Sequence, residues 1–332
     1  MTDGPSSSRA PGFRAPSVPG LSEFSLLARG GYATVYRAVQ DSVGREVAVK
    51  VENHRLDNDR DRRRFFREAR ASGRLSSHPH VVDLFDVGVT GEGHPYLIME
   101  LCDGSYLDRM NNAQLTAVEA RDLGIRIADA LVYAHECGVL HRDIKPANLL
   151  HSYFNSAVLA DFGLAVLAEA RDTAVTVEVM TPAYASPEMF RHSRPTPAVD
   201  IYALCATLYA VMQGRPPRWG EAGNPGLLTL MDLFSQPIPD LPGVPSPLLD
   251  VLRSGMDNEP THRPSAQQLR DTLIALRLPG DDDAKPDAGR TVLGYGKARV
   301  RARGTAPAPR ATSDGTPTGG GNSLRRLLWP FR

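Results

Sequence analysis

HRDIKPANLL at positions 141–150, followed by DFG at 161–163, decides how this chain is read. The polar run Asp143–Asn148 interrupts apolar segments on both sides, so it reads as a loop. That loop carries a carboxylate (Asp143), an ammonium (Lys145) and a carboxamide (Asn148) within a few residues of one another. Leu149–His151 and Ala157–Leu159 read as two short strands around a turn, and Asp161 follows directly. Carboxylate oxygens are the hard ligands that magnesium takes, so Asp161 and Asn148 are the candidate metal ligands. Asp143 is the candidate proton acceptor.

Outward from this loop the texture differs on its two sides. Downstream, helices are expected around Ala198–Met212, Pro247–Met256 and Ala266–Leu276. Just upstream, Thr116–Cys137 places Ile125, Ala128, Leu131 and Val132 near helical spacing. Further upstream, Phe24–Ala28, Thr34–Val39, Glu46–Val51, Val81–Val89 and Tyr96–Leu101 read as strands between glycine-rich or polar turns. Phe65, Phe66, Ala69 and Leu75 mark one helix among them. The expected fold class is therefore α+β in two lobes. A β-rich N-lobe spans about 22–102 and a mainly helical C-lobe about 103–278. Residues 1–21, rich in Pro, Ser, Gly and Arg, read as a disordered leader, and 279–332 as a basic, mostly disordered tail.

Composition narrows the function classes. Apolar residues make up 42% and charged residues 23%, the proportions of an ordinary globular protein. Cys102, Cys137 and Cys205 are far apart and odd in number, which argues against a disulfide framework or zinc site and for a reducing, cytoplasmic setting. The longest apolar run, Val199–Met212, contains Asp200 and is too short to span a bilayer. Net charge is zero, but ten Lys or Arg against two Asp between Lys285 and Arg332 leave +8 on the tail and −8 elsewhere. No nucleic-acid partner is expected.

Phosphoryl transfer from ATP needs a cradle for the triphosphate, a cation to offset its charge, metal ligands and a carboxylate for the nucleophile. The cradle candidate is the turn Leu27, Ala28, Arg29, Gly30, Gly31, Tyr32, Ala33, Thr34, Val35. Of the pattern G-x-G-x-x-G-x-V it keeps only the central Gly30, with Ala28 and Ala33 at the outer positions. The cation candidate is Lys50, closing Val47-Ala-Val-Lys50, and Glu68 on the following helix is its candidate partner. With Asp143, Lys145, Asn148 and Asp161 in the expected order, all four requirements have a residue.

On these residues the chain resembles the eukaryotic-type protein kinase superfamily, in its bacterial serine/threonine branch, from about Phe24 to Leu276. The resemblance implies that Lys145 steadies the γ-phosphate and that Met99 is the gatekeeper. It makes Glu100–Cys102 the hinge facing adenine, with Leu27, Val35, Ala48 and Leu150 around the base. It also implies a Glu188–Arg263 pair, Asp200 beneath the catalytic loop, and Thr181 bridging towards Asp143 and Lys145. The cofactors implied are ATP and magnesium, with manganese as an alternative.

The implied activity is a serine/threonine protein kinase, because DIKPAN is the serine/threonine form of the loop and Thr181–Glu188 shapes a peptide platform. A pseudokinase scaffold and a small-molecule kinase of the same superfold are the alternatives. Arg142, with Thr173 and Thr176, suggests activation by autophosphorylation, with self-association to bring copies together. The end Ser323–Arg332 mixes basic and large apolar residues and could dock on the inner membrane face or a partner groove. Arg290-Thr-Val-Leu293 is a weaker candidate for a phosphothreonine docking site.

Overall fold

Strands β1 (Leu21–Arg29), β2 (Ala33–Gln40) and β3 (Arg45–Glu52) form a meander, and β5 (Pro95–Glu100) pairs with β3, leaving β4 (Leu84–Val89) at the edge. All four pairings are antiparallel. The computed structural model describes residues 15–152, 157–162, 181–191, 194–219 and 226–281. Alternation along β3 sorts its side chains. Val47, Val49 and Val51 pack with Tyr36, Ala38 and Ile98 on one face of the sheet. Ala48, Lys50 and Glu52 therefore project from the other face, towards the second lobe. Helix α1 (Asp59–Leu75) starts at Asn58, whose side chain accepts from the Asp61 amide, and it buries Phe65 and Ala69 against Leu97 of β5.

Beyond Cys102 the chain forms β6 (Gly104–Ser105), α2 (Tyr106–Asn112) and α3 (Ala117–Glu136). Ser105 with Asp108 and Thr116 with Glu119 close reciprocal caps on the two helices. Strands β7 (Leu149–His151) and β8 (Ala157–Leu159) complete a small sheet with β6. The C-lobe core is built around α4 (Ala198–Gln213), whose residues Val199 to Met212 are all buried, and which ends at Gly214 with φ 85°. Helices α3, α6 (Ser246–Gly255) and α7 (Ala266–Ala275) pack around it, with α5 (Leu227–Phe234) alongside. Among the described residues no helix is long and apolar enough to cross a membrane.

The structure moves both outer boundaries drawn from the sequence. The leader drawn to residue 21 ends too late: Val18 is buried in the N-lobe core, and its carbonyl accepts from the Leu21 amide. At the other end, Asp281 caps the Leu278 amide and pairs with Arg121 of α3 at 2.6 Å, so the fold continues past residue 278. Helices α2 and α5 were not predicted. At seven and eight residues they are too short to show a helical period in sequence. Residues 1–14 and 282–332, and with them both tail motifs, lie outside the described residues.

Candidate active site

The loop between α3 and β7 hangs from a single buried carboxylate. Asp200 of α4 is fully buried and accepts the amide protons of His141 (2.9 Å) and Arg142 (2.7 Å). His135 Nε2 lies 2.9 Å from the same group. These contacts hold Arg142 at φ 66°, a left-handed conformation that a non-glycine residue adopts only when its surroundings fix it. His141 accepts the Asp143 amide proton at Nδ1, which leaves Nε2 to donate to the Ala160 carbonyl at 2.7 Å. Its ring also meets Phe162 edge-on at 4.8 Å. One imidazole thus ties Asp143 to the segment carrying Asp161.

Asp143 faces two side chains, Lys145 and Asn148. Lys145 Nζ stands 2.7 Å from Asp143 Oδ2 and donates to Thr181 Oγ1 at 2.8 Å. Asn148 Nδ2 donates to the carbonyl of Asp143 (2.7 Å) and to its Oδ2 (3.0 Å). The Asn148 amide therefore points its nitrogen at Asp143, and both Asn148 and Asp161 line the same cleft. Thr181 begins a segment held by a buried, two-pronged pair: Arg263 donates to Glu188 at 2.6 and 2.8 Å. Burial alone would raise the Glu188 carboxyl, but the Arg263 hydrogen bonds and charge outweigh it and hold the group below its ordinary value.

Across the cleft the geometry departs from the predicted Lys50–Glu68 pair. Lys50 Nζ lies 2.9 Å from Asp161 Oδ1 and 3.9 Å from Glu52 Oε1. Glu68 instead accepts from Arg64, one turn earlier on α1, at 2.9 Å. Its Oε2 is buried without a hydrogen-bond partner. The pairing was misplaced because an i,i+4 arginine is always within reach on a helix, whereas Lys50 is reached only at one setting of α1 against the sheet. Burial opposes ionisation of both Lys50 and Asp161, yet mutual attraction wins: Lys50 is shifted up and Asp161 down. Glu52 was missed in the sequence. Burial pushes it up to about 7, with Lys50 pulling the other way and Asp161 adding to the rise. Strand alternation was the available signal, since Glu52 follows Lys50 by two residues.

Between the lobes lies an apolar slot lined by Leu27, Val35, Ala48, Met99 and Leu150, with Glu100 and Cys102 at its back. Leu101, Ala147 and Ala160 complete it and were not predicted. Over the slot, the β1–β2 turn closes with Gly30 donating to the Ala33 carbonyl at 2.8 Å. Asn53, also missed in the sequence, donates to the carbonyls of Gly30 (3.1 Å) and Gly31 (2.9 Å) and binds Tyr32 O through its own amide. Ala28 and Ala33 are buried beneath this turn, while Gly31 faces open space. The alanines thus sit in the strand framework, and the tip stays unobstructed.

The match to known proteins agrees with this arrangement. The family model described as the protein kinase domain matches residues 21–273. The chain belongs to the protein kinase domain family. It is 36% identical over 318 residues to the serine/threonine-protein kinase PknK of Mycobacterium bovis, covering 91% of this chain and 28% of that protein. Against the serine/threonine-protein kinase PkaA of Streptomyces coelicolor it is 38% identical over 262 residues, 73% of this chain and 47% of that protein. The chain therefore spans less than half the length of these relatives. Among solved structures, the Mycobacterium tuberculosis PknI kinase domain superposes with a TM-score of 0.58 at 27% identity, covering 78% of this chain and 96% of that one.

The kinase domain fits its family's cofactors on its own geometry. Lys50, Asn148 and Asp161 line the slot together with its apolar walls, so a charged end and an apolar end are present in one cleft. Among the described residues no group of three or more His, Cys, Asp or Glu forms a metal cage. Asp161 and Asn148 offer hard oxygen donors to a divalent metal, leaving substrate phosphates and water to complete its shell. Gly163, Thr173, Thr176 and Met180 lie outside the described residues.

Proposed function

We propose that this domain transfers the γ-phosphoryl group of ATP to serine and threonine hydroxyls of proteins. The observation that carries this reading is the Asp143–Lys145–Thr181 cluster, in which one ammonium joins the proton acceptor to the start of the 181–191 segment. Thr181 fixes that segment on the catalytic loop, which supports a peptide acceptor over a small molecule. Asp143 Oδ accepts the hydroxyl proton and orients the nucleophile. Lys145 balances negative charge beside it, and Lys50 faces the phosphate end of the slot. Asp161 and Asn148 are the residues to hold magnesium, or manganese in its place, which when bound offsets the charge of the phosphates. Intact Lys50, Asp143 and Asp161 weigh against a scaffold without catalysis.

The test is phosphate transfer from ATP to a generic basic protein and to the chain itself, with phosphoamino-acid analysis and phosphopeptide mapping. Wild type should yield phosphoserine and phosphothreonine, with autophosphorylation at Thr173, Thr176 or both. Asp143→Asn should lose roughly 10²–10⁴ in rate. Absence of label from wild type with either metal would sink the reading in favour of a scaffold.

A further inference from the structure

Lys50 is held by a carboxylate that the family's pattern does not supply. Glu52 stands two residues along β3 on the same face, with Oε1 3.9 Å from Lys50 Nζ and both side chains almost wholly buried. The helix carboxylate expected at this place, Glu68, is turned to Arg64. Asp161 is the nearer partner at 2.9 Å, but it is also the residue to hold the metal, and a carboxylate shared with a second cation holds an ammonium less firmly. Glu52 has no such second duty: among the described residues Lys50 is the cation within ion-pair distance of it.

We propose that Glu52 is a positioning residue for Lys50, a counter-charge supplied from the same strand that keeps the ammonium aimed at the nucleotide phosphates. This rests on the kinase reading above. A strand neighbour suits the task. The Lys50–Glu52 spacing is fixed by the backbone of β3, which is paired on both sides, to β2 and to β5. It does not depend on the setting of α1, so Lys50 stays in place whether or not Glu68 swings towards it. A carboxylate buried at this point is not a packing choice, because an apolar side chain would fill the site without desolvating a charge.

The experiment measures equilibrium binding of a non-hydrolysable ATP analogue with magnesium, and of adenosine, to the full chain by titration calorimetry. Adenosine reads the apolar slot alone, whereas the ATP analogue also reads Lys50. Glu52→Gln should weaken the ATP analogue by roughly fivefold while adenosine binds as to wild type. Glu52→Asp, which keeps the charge, should recover part of the loss. Glu46→Gln, at the far exposed end of β3 and paired with Arg37, should change neither ligand. Unchanged or tighter binding of the ATP analogue to Glu52→Gln overturns the proposal, as does an equal loss of adenosine, which would mark a general disturbance of the lobe. A wild type that binds the ATP analogue no better than adenosine overturns the kinase reading as well, so the two failures are told apart.

Discussion

Glu52 sets function against stability at a single residue. Its carboxyl ordinarily titrates near 4.5 and is pushed up to about 7, first by burial and then by Asp161, with Lys50 opposing. A carboxyl whose value rises on folding costs nothing below its unfolded value, where both states are neutral. The cost grows as pH climbs past 4.5 and is complete above 7. Glu52→Gln should therefore unfold at higher urea than wild type at pH 8, by about 3 kcal/mol, with almost no difference near pH 4. Equal midpoints at pH 8 would show that the carboxyl is not held up in the folded state. The residue was legible only in retrospect. Lys50, Asp143, Asn148 and Asp161 announce themselves by type and order, whereas a glutamate two places after a lysine is common on exposed strands. What makes this one different is burial, which depends on the segments folded around the end of β3.

Helix α1 carries the element-scale question, because it decides where Glu68 points. Besides its apolar face, two polar contacts tie it to the C-lobe: Tyr133 of α3 donates to the Arg74 carbonyl at 3.4 Å, and Ser72 Oγ donates to the Phe162 carbonyl at 2.7 Å. That carbonyl belongs to the residue after Asp161, so the bond links the setting of the helix to the metal-binding segment. Ser72→Ala should lower stability by about 1 kcal/mol in chemical denaturation and raise amide exchange in β8 and residues 160–162, while Ser72→Thr keeps both near wild type. Exchange unaltered by Ser72→Ala would mean the contact does not couple the two elements. At this scale the sequence was legible where a face is long. Phe65 and Ala69 showed α1, and Ile125, Ala128 and Leu131 showed α3. It was illegible for α2 and α5, whose few residues lie against neighbours that periodicity cannot report. The Glu68 partner was illegible for a related reason: a helix fixes which residues share its face, but not how far it is rotated or moved against the sheet.

For the whole molecule, the platform and the catalytic loop hang from α4, so packing around that helix governs the site. Gly255 of α6 is placed so closely that an added Cβ would lie 2.2 Å from Cys205 Sγ of α4. Gly255→Ala should cost about 1–3 kcal/mol by forcing the two helices apart, read as a lower melting temperature, and Gly255→Ala with Cys205→Ala should regain much of it. No recovery in the double variant would place the strain elsewhere. The same helix presents Asp200 to His141 and Arg142, so the loss should reach activity as well as stability. The sequence by itself determined the family, the two-lobed order of elements and the identity of the groups that carry the chemistry. These depend on residue type, spacing and order, which are local properties of the chain. Tertiary structure alone decided which carboxylates surround Lys50, that the chain enters the N-lobe core as early as Val18, and that Asn53 braces the alanine-bearing turn. Each is a contact between segments brought together by folding, and its strength depends on distance and burial, which no position along the chain records.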